Sequence, residues 1–525
     1  MKRFNVTTTC VKEEHYMVDI SGKLEKIVNL IDMGKYFTIN RARQYGKTTT
    51  MSRLFMTLQD KYIMIPGSLE DFGEEPYMSE GKFAMAFLFM IRNIVKFQDR
   101  ELANYIEKIS NITSFQELSA RITDICMESK KEIVLMIDEV DKASSNIIFL
   151  DFLAILRDKY NKRKNKLDIT FKSVILAGVH DIKNLKVHIK ERRMITEAEA
   201  KLIDKTTYNS PWNVAEKFNV DMNFNKEEIS TMLIEYEEDY KTGMNITQIN
   251  EEIYDYTSGY PFLVSNICKV IDEELGRNWS KQGIQEAVKI ILNEKGTLFD
   301  DLIKNIEHDK ELYNTVYSIA IEGQELTYDV YADEKGLMYG ILKKGNNGKL
   351  AIHNKIFEIL IYNYLSVKKE REGNKKIINY ESRSQFIDEE GNLRIVNILE
   401  KFQELMSEEY RKETKGFVEK EGRLIFLAFI KPIINGTGFY YVETETRTNK
   451  RIDIVITYNK KEYIIELKKY YDKPREEKGY KQLADYMRIK NKDKGYMVMF
   501  KFREDKKYTS KWIDVGDKRI FEVVV

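Results

Sequence analysis

The chain has 525 residues, which is too long for one hydrophobic core, so we expect about three or four domains. Its 85 basic residues nearly balance its 84 acidic ones, and the net charge of +1 therefore neither indicates nor excludes a nucleic-acid partner. Three scattered cysteines argue against a disulfide framework, and with no signal sequence or membrane-length apolar run we expect a soluble, cytoplasmic protein without a membrane partner.

The first 200 residues alternate between helical and strand-like patterns. Residues 24–34 have helical apolar spacing and end on a glycine, and residues 47–62 predict another helix. Short apolar runs predict buried strands of a parallel sheet at residues 36–40, 83–90, 132–141 and 171–180. Strands that alternate with helices favour a βαβ architecture.

Later segments change character. Residues 224–240 and 261–275 have helical periodicity, residues 340–352 predict a hairpin, and the charge run at 366–376 has little to bury. A second α/β pattern runs to the last residue. We therefore predict an α/β multidomain chain: a domain with a parallel sheet and flanking helices (1–204), a helical lid (205–290), a winged-helix-like module (291–365), a charged linker (366–394) and a C-terminal α/β domain (395–525).

The stretch TINRARQYGKTTT, residues 38–50, contains the second half of the phosphate-binding pattern G-x-x-x-x-G-K-[ST]. Arg41 occupies the place of the first glycine. The motif lies between a predicted strand and a predicted helix, whose N-terminal N–H groups attract phosphate oxygens. Lys47 would reach the β- and γ-phosphates, and the Thr48 hydroxyl would bind Mg²⁺.

A second element lies about 90 residues later, where the apolar run IVLMI is followed by Asp138 and Glu139. Asp138 would hold Mg²⁺ through water, and Glu139 would polarise the attacking water. The strand VILAGVHD ends in His180 and Asp181, either of which could sense the γ-phosphate. The G-K-T motif and the apolar strand that ends in Asp138 and Glu139 are each weak signals alone. Both occur in the expected structural contexts and in the expected order. The predicted cofactor-binding set is Arg41, Arg43, Gly46, Lys47, Thr48, Thr49 and Asp138.

Residues 15–51 resemble the start of the AAA-ATPase-like proteins, many of them bacterial, that carry a C-terminal nuclease-like domain. The loop of that family typically reads R-P-R-R-F-G-K-[ST], with an arginine in place of the first glycine. The positions that match are Arg41, Arg43, Gly46, Lys47 and Thr48, and those that depart are Ala42, Gln44 and Tyr45. The resemblance implies that the nucleotide is ATP.

Residues 209–229 and 256–271 resemble the helical lid of the same family. Gly259 and Pro261 are similar to a lid element of the STAND-type signalling NTPases. The structural alternative is a helix that begins with proline in its first turn, and the two interpretations are compatible.

The most informative stretch for chemistry is residues 450–474, which predicts two strands joined by a tight turn. A hairpin would bring Asp453, Glu466 and Lys468 together, with Leu467 on the opposite face. Two carboxylates can hold one or two Mg²⁺ ions, which activate water and neutralise phosphate charge. The lysine can orient that water or stabilise the transition state. E-x-K alone is equally a common cross-strand charge pattern.

The following helical stretch, residues 479–487, places Gln482 and Tyr486 on one face. The combined D…E-x-K…Q-x-x-x-Y pattern resembles the PD-(D/E)XK nuclease superfamily, in particular its exonuclease-like branch. Glu139 is the catalytic residue predicted for the ATPase. The nuclease resemblance implies catalytic roles for Asp453, Glu466, Lys468, Gln482 and Tyr486. It also implies an acidic residue on the first helix of that domain, which is Glu419 or Glu421.

The sequence thus favours an ATP-binding and ATP-hydrolysing P-loop protein coupled to a Mg²⁺-dependent nuclease that acts on nucleic acid, with DNA expected. The predicted metal ligands are Thr48, Asp138, Asp453 and Glu466. The alternatives are a nucleotide-dependent binding switch with an inactive nuclease fold, or an ATPase with a structural C-terminal domain. A homo-oligomer is possible. Arg192 and Arg193 are candidates for an arginine finger because they follow the strand that ends at His180, but a solvated charge pair is the favoured interpretation.

Overall fold

The computed structural model describes most of the chain, in ranges separated by gaps. These ranges are residues 2–70, 72–143, 146–179, 212–320, 324–329, 332–345, 348–372, 385–409, 419–434, 438–443, 452–459, 461–470, 473–501 and 507–525. They form two compact units. The first consists of Met1–Tyr254, Ser258–Arg277 and Met338–Gly340, and the second of Asp255–Thr257, Asn278–Leu337 and Ile341–Val525.

A parallel sheet with helices on both faces forms the centre of the first unit. Its strands are β1 (Phe37–Asn40), β2 (Ile63–Ser68), β3 (Ile133–Asp138) and β4 (Ser173–Gly178), in the order β1-β4-β3-β2. Its helices are α1 (Ser21–Asp32), α2 (Lys47–Leu58), α3 (Glu80–Val95), α4 (Arg100–Glu107), α5 (Phe115–Glu128) and α6 (Ile147–Lys164). This arrangement confirms the predicted βαβ architecture.

Strand β3 is buried on both faces along its whole length. Leu135 and Ile137 belong to an apolar cluster with α3, α5 and α6, whereas Val134 and Met136 belong to one with α1 and α2. Burial on both faces explains why the strand is a continuous apolar run rather than an alternating pattern. The acidic residue at its end is therefore held at the carboxyl edge of the sheet.

The prediction of a strand at residues 83–90 is wrong, because these residues lie within α3. The Ser79 side chain accepts a hydrogen bond from the Lys82 amide and caps the helix. The buried side chains follow helical spacing: Phe83, Ala84, Phe87, Leu88, Ile91 and Val95. Met85 and Phe89 are apolar residues on the exposed side of the helix. They hid the helical period and made the run look uniformly buried.

The remaining helices of the predicted lid are α7 (Lys226–Tyr240), α8 (Ile246–Thr257) and α9 (Pro261–Glu273). A capping box starts α7, because Asn225 and Glu228 each accept a hydrogen bond from the other's backbone amide. No helix among the described residues is both long and apolar enough to cross a bilayer.

The second unit begins with helices and a short hairpin. Its elements are α10 (Lys281–Asn293), α11 (Thr297–His308), α12 (Lys310–Ala320), α13 (Glu334–Met338), β5 (Leu342–Lys344), β6 (Leu350–Ile352) and α14 (Lys355–Glu372). Strands β5 and β6 pair antiparallel, as the sequence predicted, and Thr327 forms a further antiparallel bridge with Lys349. The assignment of residues 291–365 to a winged-helix-like module stays a prediction.

Helix α14 continues to Glu372 and so covers the start of the segment predicted as a linker, residues 366–394. Lys368 lies 3.8 Å from a carboxylate oxygen of Glu307 and packs over the Tyr313 ring. Charged side chains with long aliphatic stems can extend a helix in this way without burying much surface. Residues 373–384 lie outside the described part of the chain.

A six-stranded mixed sheet completes the second unit. Its strands are β7 (Gly438–Glu443), β8 (Ile452–Tyr458), β9 (Lys461–Lys469), β10 (Lys494–Phe500), β11 (Ser510–Val515) and β12 (Lys518–Val524), in the order β11-β12-β10-β9-β8-β7. The strands β9, β10 and β12 are parallel to one another, and the remaining pairs are antiparallel. The accompanying helices are α15 (Ile395–Glu409), α16 (Glu419–Ile434) and α17 (Lys473–Ile489).

The two faces of this sheet carry different helices. Leu483 and Met487 of α17 belong to one apolar cluster with Ile464 and Met497 of the sheet. Helix α16 approaches the other face at Gly422, where a Cβ atom would lie 2.5 Å from the Phe500 ring. The side chains that alternate along β9 are therefore divided between the α17 face and the α16 face.

Candidate functional sites

The phosphate-binding loop joins β1 to α2 and depends on left-handed backbone at two residues. Gly46, which precedes the first residue of α2, has φ +72°, and Gln44 has φ +59°. The Lys47 ammonium donates to the carbonyl oxygens of Arg41 and Ala42, both at 3.0 Å. The loop thus curves around the lysine while the N–H groups at the start of α2 remain available to an anion.

Two predicted magnesium ligands meet at the carboxyl edge of the parallel sheet. The Thr48 hydroxyl donates to the Asp138 carboxylate at 2.7 Å, although the two residues lie on different elements. Asp138 is 8% exposed, and its other oxygen accepts the Glu139 amide at 2.9 Å. A hydroxyl beside a carboxylate at this place fits an octahedral Mg²⁺ ion bound together with phosphate.

Glu139 follows β3 in left-handed backbone, with φ +56°, which turns the chain sharply at the strand end. Burial, followed by the negative charge of Asp138, raises the pKa of Glu139 above its ordinary value. Burial lowers the pKa of Lys47, and Asp138 opposes that effect. Perturbed pKa values that occur close together are more frequent at functional sites than elsewhere.

The Arg41 side chain stabilises the loop through hydrogen bonds to backbone carbonyl oxygens. Its guanidinium donates to the carbonyl oxygens of Asn40 and Val220, at 2.7 and 2.8 Å, and lies 5.4 Å from the centroid of the Phe218 ring. Arginine at this position therefore replaces the flexibility of a glycine with a fixed set of hydrogen bonds. A phosphate-binding role for Arg41 stays a prediction, as it does for the exposed Arg43.

Thr49 and the lid residue Tyr260 make contacts at the phosphate-binding loop that were not predicted from the sequence. The Thr49 hydroxyl accepts the Cys10 amide at 3.2 Å, which brings an N-terminal segment to the start of α2. The Tyr260 hydroxyl donates to the Arg43 carbonyl at 2.7 Å, and the Tyr260 ring lies 4.4 Å from the ring of Tyr45. The lid helix α9 is thereby tied directly to the phosphate-binding loop.

Gly259 and Pro261 behave as the structural alternative predicted. Gly259 has φ +76°, and a Cβ atom there would lie 1.8 Å from the Phe224 carbonyl oxygen. Tyr260 follows, and Pro261 is the first residue of α9. The glycine is needed for the close approach, and the same turn aims Tyr260 at the loop.

Two further glycines, Gly178 and Gly340, allow close approaches between the backbone and neighbouring side chains at this site. The Asp141 carboxylate accepts the Val179 amide at 2.5 Å, and a Cβ atom at Gly178 would lie 2.9 Å from the same carboxylate. At Gly340 a Cβ atom would lie 3.0 Å from the Ala42 Cβ and 3.1 Å from the Tyr45 ring. The third carboxylate of the D-E-V-D run was the available signal for Asp141. The candidates His180, Asp181, Arg192 and Arg193 lie outside the described residues.

The second site lies on the mixed sheet. Strands β8 and β9 form the predicted hairpin, in which Ile454 pairs with Ile465. Asp453 belongs to β8 and immediately precedes Ile454, so its backbone lies beside Glu466 in this antiparallel register. The side chain of Asp453 lies outside the described part of the structure, as do those of Glu419 and Glu421 in the first turn of α16.

Glu466 and Lys468 share the α17 face of β9, as the sequence predicted. Glu466 is 1% exposed, and the Lys468 ammonium lies 2.9 Å from one of its carboxylate oxygens. Helix α17 crosses Lys468 at Gly479, where a Cβ atom would lie 3.8 Å from the lysine Cε. A buried carboxylate of this kind is a suitable oxygen ligand for Mg²⁺, and Lys468 can balance its charge.

Helix α17 also carries Gln482 and Tyr486. Gln482 is half-buried, and Tyr486 is 0% exposed within the apolar cluster that contains Met497. Met497 is the register partner of Glu466 on β10, so Tyr486 lies over the strands that carry the carboxylate. Among the described atoms its hydroxyl has no hydrogen-bond partner. Four residues predicted for this site have described side chains, namely Glu466, Lys468, Gln482 and Tyr486. They therefore lie on or against one face of the sheet.

Sequence reasoning missed a second buried carboxylate on this face. Glu522 of β12 is 1% exposed and, like Glu466, is a register partner of Met497. The Tyr480 hydroxyl donates to Glu522 and also lies 2.9 Å from a Glu476 carboxylate oxygen, and burial together with the Glu522 bond raises the pKa of Tyr480 strongly. The available signal was a single glutamate inside the apolar run FEVVV.

Comparison with known proteins places the chain in a family. Residues 11–358, more than half of the chain, match the family model described as an AAA-like domain. No curated protein matches the chain. The match confirms the AAA-ATPase part of the sequence-based resemblance, whereas the nuclease part stays a prediction.

Three solved structures show similarity over about two thirds of the chain. The Walker-type ATPase PABY2304 of Pyrococcus abyssi is 13% identical, with a TM-score of 0.45 over 68% of this chain and 99% of that chain. The ORC2 protein of Aeropyrum pernix is 12% identical, with a TM-score of 0.32 over 69% and 98%. The RuvB Holliday junction branch migration motor of Thermotoga maritima is 12% identical, with a TM-score of 0.31 over 66% and 95%. On the strength of the family match, the protein belongs to the AAA-like domain family, and its phosphate-binding loop is that of a P-loop ATPase.

Proposed function

We propose that the protein hydrolyses ATP at the phosphate-binding loop and cuts phosphodiester bonds, with DNA as the expected substrate, at the Glu466 site. The hydrogen bond between Thr48 and Asp138 supports the first activity. The ion pair between the buried Glu466 and the half-buried Lys468 on the α17 face of the sheet is the observation that carries the second.

At the ATPase site each residue has a separate task. Lys47 and the amides at the start of α2 bind the phosphates, and Thr48 with Asp138 holds Mg²⁺. Bound Mg²⁺ neutralises charge on the phosphates. Glu139, whose pKa is raised by burial, orients the attacking water and accepts its proton.

At the nuclease site Asp453 and Glu466 would hold Mg²⁺. That ion supplies an activated water and neutralises charge on the scissile phosphate. Lys468 stands next to Glu466, where its ammonium can orient the water and stabilise the extra negative charge of the transition state. Gln482 on α17 would position the substrate, and Tyr486 packs beneath the helix in the apolar cluster with Met497.

Cleavage of linear, circular and single-stranded DNA and of RNA would test this proposal, with Mg²⁺ or Mn²⁺ and with or without ATP. We expect Asp453→Ala and Glu466→Gln to abolish metal-dependent cleavage and to leave ATP hydrolysis intact. Asp493→Ala is a matched control, because Asp493 is an exposed carboxylate in the same unit.

Cleavage that persists unchanged in both site variants would refute the nuclease assignment. A dependence of wild-type cleavage on ATP would show that the two activities are coupled, and equal cleavage without ATP would show that they are separate. The variants Lys47→Ala and Glu139→Gln then identify which step of the ATPase cycle is needed.

A second candidate is a nucleotide-dependent switch whose C-terminal domain binds nucleic acid or protein without cutting. It is favoured by the low exposure of Glu466, which is 1%, since an inactive domain could keep such a pair for structural reasons. Binding of nucleic acid without cleavage of any substrate, together with intact ATP hydrolysis, would support this candidate.

A further inference from the structure

The residues that precede α1 form a loop that is closed at its base. The Arg3 amide donates to the Glu14 carbonyl oxygen at 3.0 Å, and the Tyr16 amide donates to the Arg3 carbonyl oxygen at 3.1 Å. We call the residues between these contacts, 5–14, the N-terminal loop. Its two ends lie side by side, as in the compact surface loops known as Ω-loops.

The base of the N-terminal loop is anchored on the lid helix α7. The Phe4 ring lies 5.1 Å from the Tyr236 ring, measured between centroids. The Tyr16 hydroxyl donates to the Asp239 carboxylate at 2.7 Å, and both Phe4 and Tyr16 are 2% exposed. Buried aromatic side chains therefore hold this end of the loop on the lid.

The tip of the N-terminal loop reaches the phosphate-binding site. The Cys10 amide donates to the Thr49 hydroxyl at 3.2 Å, and Thr49 lies in the first turn of α2. The preceding residue, Thr48, donates to Asp138 at the proposed magnesium position. A loop carried by the lid is thus hydrogen-bonded to the helical turn whose amides would bind phosphate.

The base and the tip are held with different strength. The base buries two aromatic rings, whereas Thr7, Thr8 and residues 11–14 are exposed. A hydrogen bond such as the one from Cys10 contributes about fivefold to an equilibrium constant. Segments with few buried contacts open at low cost. If α7 shifts, the contact with α2 should therefore break before the contacts with the lid.

We propose that the N-terminal loop is a conformational link between the lid and the ATPase site, and that its tip closes on Thr49 when a nucleotide binds. The hydrogen bond from Cys10 orders the first turn of α2, and an ordered turn presents its amides to phosphate. Nucleotide binding and closure of the tip should therefore favour each other, because coupling between two sites is reciprocal. This inference rests on the proposed binding of ATP and adds the means by which the lid responds to it.

The Cys10 thiol is a natural reporter of the loop tip. Its reaction with N-ethylmaleimide in the full-length protein is followed by peptide mass spectrometry, with and without Mg²⁺ and a non-hydrolysable ATP analogue. Burial raises the pKa of Cys10, and hydrogen bonds with Asn5 and Thr49 oppose that effect, so the thiol should react faster once the tip leaves α2. Cys126 and Cys268 report global opening, because burial raises the pKa of Cys126 to about 12 and Cys268 is 0% exposed.

We expect the analogue to slow the Cys10 reaction about fivefold in the wild type. Thr49→Val removes the acceptor, so Cys10 should react about fivefold faster in the nucleotide-free variant than in the nucleotide-free wild type. Loss of the Thr49 hydroxyl alone would raise the pKa of Cys10 and slow the reaction, so a faster reaction reports an open tip. Thr57→Val is a matched control, because the exposed Thr57 lies on the same helix and donates to the Arg53 carbonyl oxygen at 2.8 Å.

Hydrogen exchange of residues 226–240, which form α7, measures the response of the lid. At saturating concentration the analogue should slow exchange there in the wild type and in Thr57→Val, and should slow it less in Thr49→Val. If Thr49 acted only through direct contact with the nucleotide, the reactivity of Cys10 in the nucleotide-free variant would not rise.

Two results would overturn the proposal. One is a Cys10 reaction that the analogue does not slow, in protein that calorimetry shows to bind the analogue. The other is equal Cys10 reactivity in nucleotide-free Thr49→Val and Thr57→Val. In either case bound nucleotide would leave the ATPase assignment standing and the link would be wrong. If calorimetry shows that the wild type binds no nucleotide, the proposed ATPase function fails and the link fails with it.

Discussion

The hydroxyl of Tyr260 offers a sharp test of the connection between lid and phosphate loop. Tyr260→Phe removes the 2.7 Å hydrogen bond to the Arg43 carbonyl and leaves the ring contact with Tyr45 in place. Tyr260 is 0% exposed, so the bond forms away from water, although Arg43 itself is exposed and its carbonyl can be rehydrated. The loss should therefore be about 1 kcal/mol, near the middle of the range for one buried hydrogen bond.

If this bond holds the loop in its nucleotide-binding form, 1 kcal/mol corresponds to about fivefold weaker ATP binding. Calorimetric titration of ATP into the wild type and the variant measures this directly. Tyr62→Phe is a matched control, because the Tyr62 hydroxyl donates to Asp32 at the same 2.7 Å, away from the loop. Equal ATP affinity in Tyr260→Phe and Tyr62→Phe would refute the idea that the lid stabilises the loop.

Further predictions concern the ATPase site and the lid turn. Lys47→Ala should weaken ATP binding severely, and Glu139→Gln should stop turnover while sparing binding; normal turnover in both would contradict the assignment. Because the pKa of Glu139 is raised and its ionised form accepts the proton, turnover should fall on acidification at a higher pH than for an ordinary glutamate. Asp141→Asn removes one of the charges that raise this pKa, so the acid limb of the kcat profile should move to lower pH, and an unmoved limb would count against Glu139 as the base. Gly259→Ala places a methyl group 1.8 Å from a carbonyl oxygen at φ +76°, and we expect a loss of about 2 kcal/mol or more in urea unfolding; an unchanged midpoint would contradict the tight turn.

The contact at the centre of the candidate ATPase site could be predicted because its signals are local. Gly46, Lys47 and Thr48 lie directly after a strand, and Asp138 ends a buried strand. The carboxyl ends of parallel strands lie at one edge of a sheet, so the contact between Thr48 and Asp138 follows from the βαβ pattern. The pairing of Glu466 with Lys468 was predictable for a similar reason, since alternate residues of a strand share a face.

Contacts between distant segments were not predictable. Tyr260 reaches the Arg43 carbonyl across more than 200 residues, and nothing near either residue signals the contact. Glu522 lies close to the Glu466 site only because β12 pairs with β10, and strand order cannot be deduced from periodicity. The helix α3 was mistaken for a strand because Met85 and Phe89 place apolar side chains on its exposed side.

The close approach of Gly340 to the phosphate loop has an evolutionary consequence. A methyl group at position 340 would lie 3.0 Å from the Ala42 Cβ, so the volumes available at these two positions are linked. A bulkier residue at position 42 is acceptable only while position 340 stays small, and the positive φ of Gly340 narrows the choice further. In relatives of this chain, substitutions at positions 42 and 340 should therefore occur together. Changes in the phosphate-binding loop would then be accompanied by changes almost 300 residues later in the sequence.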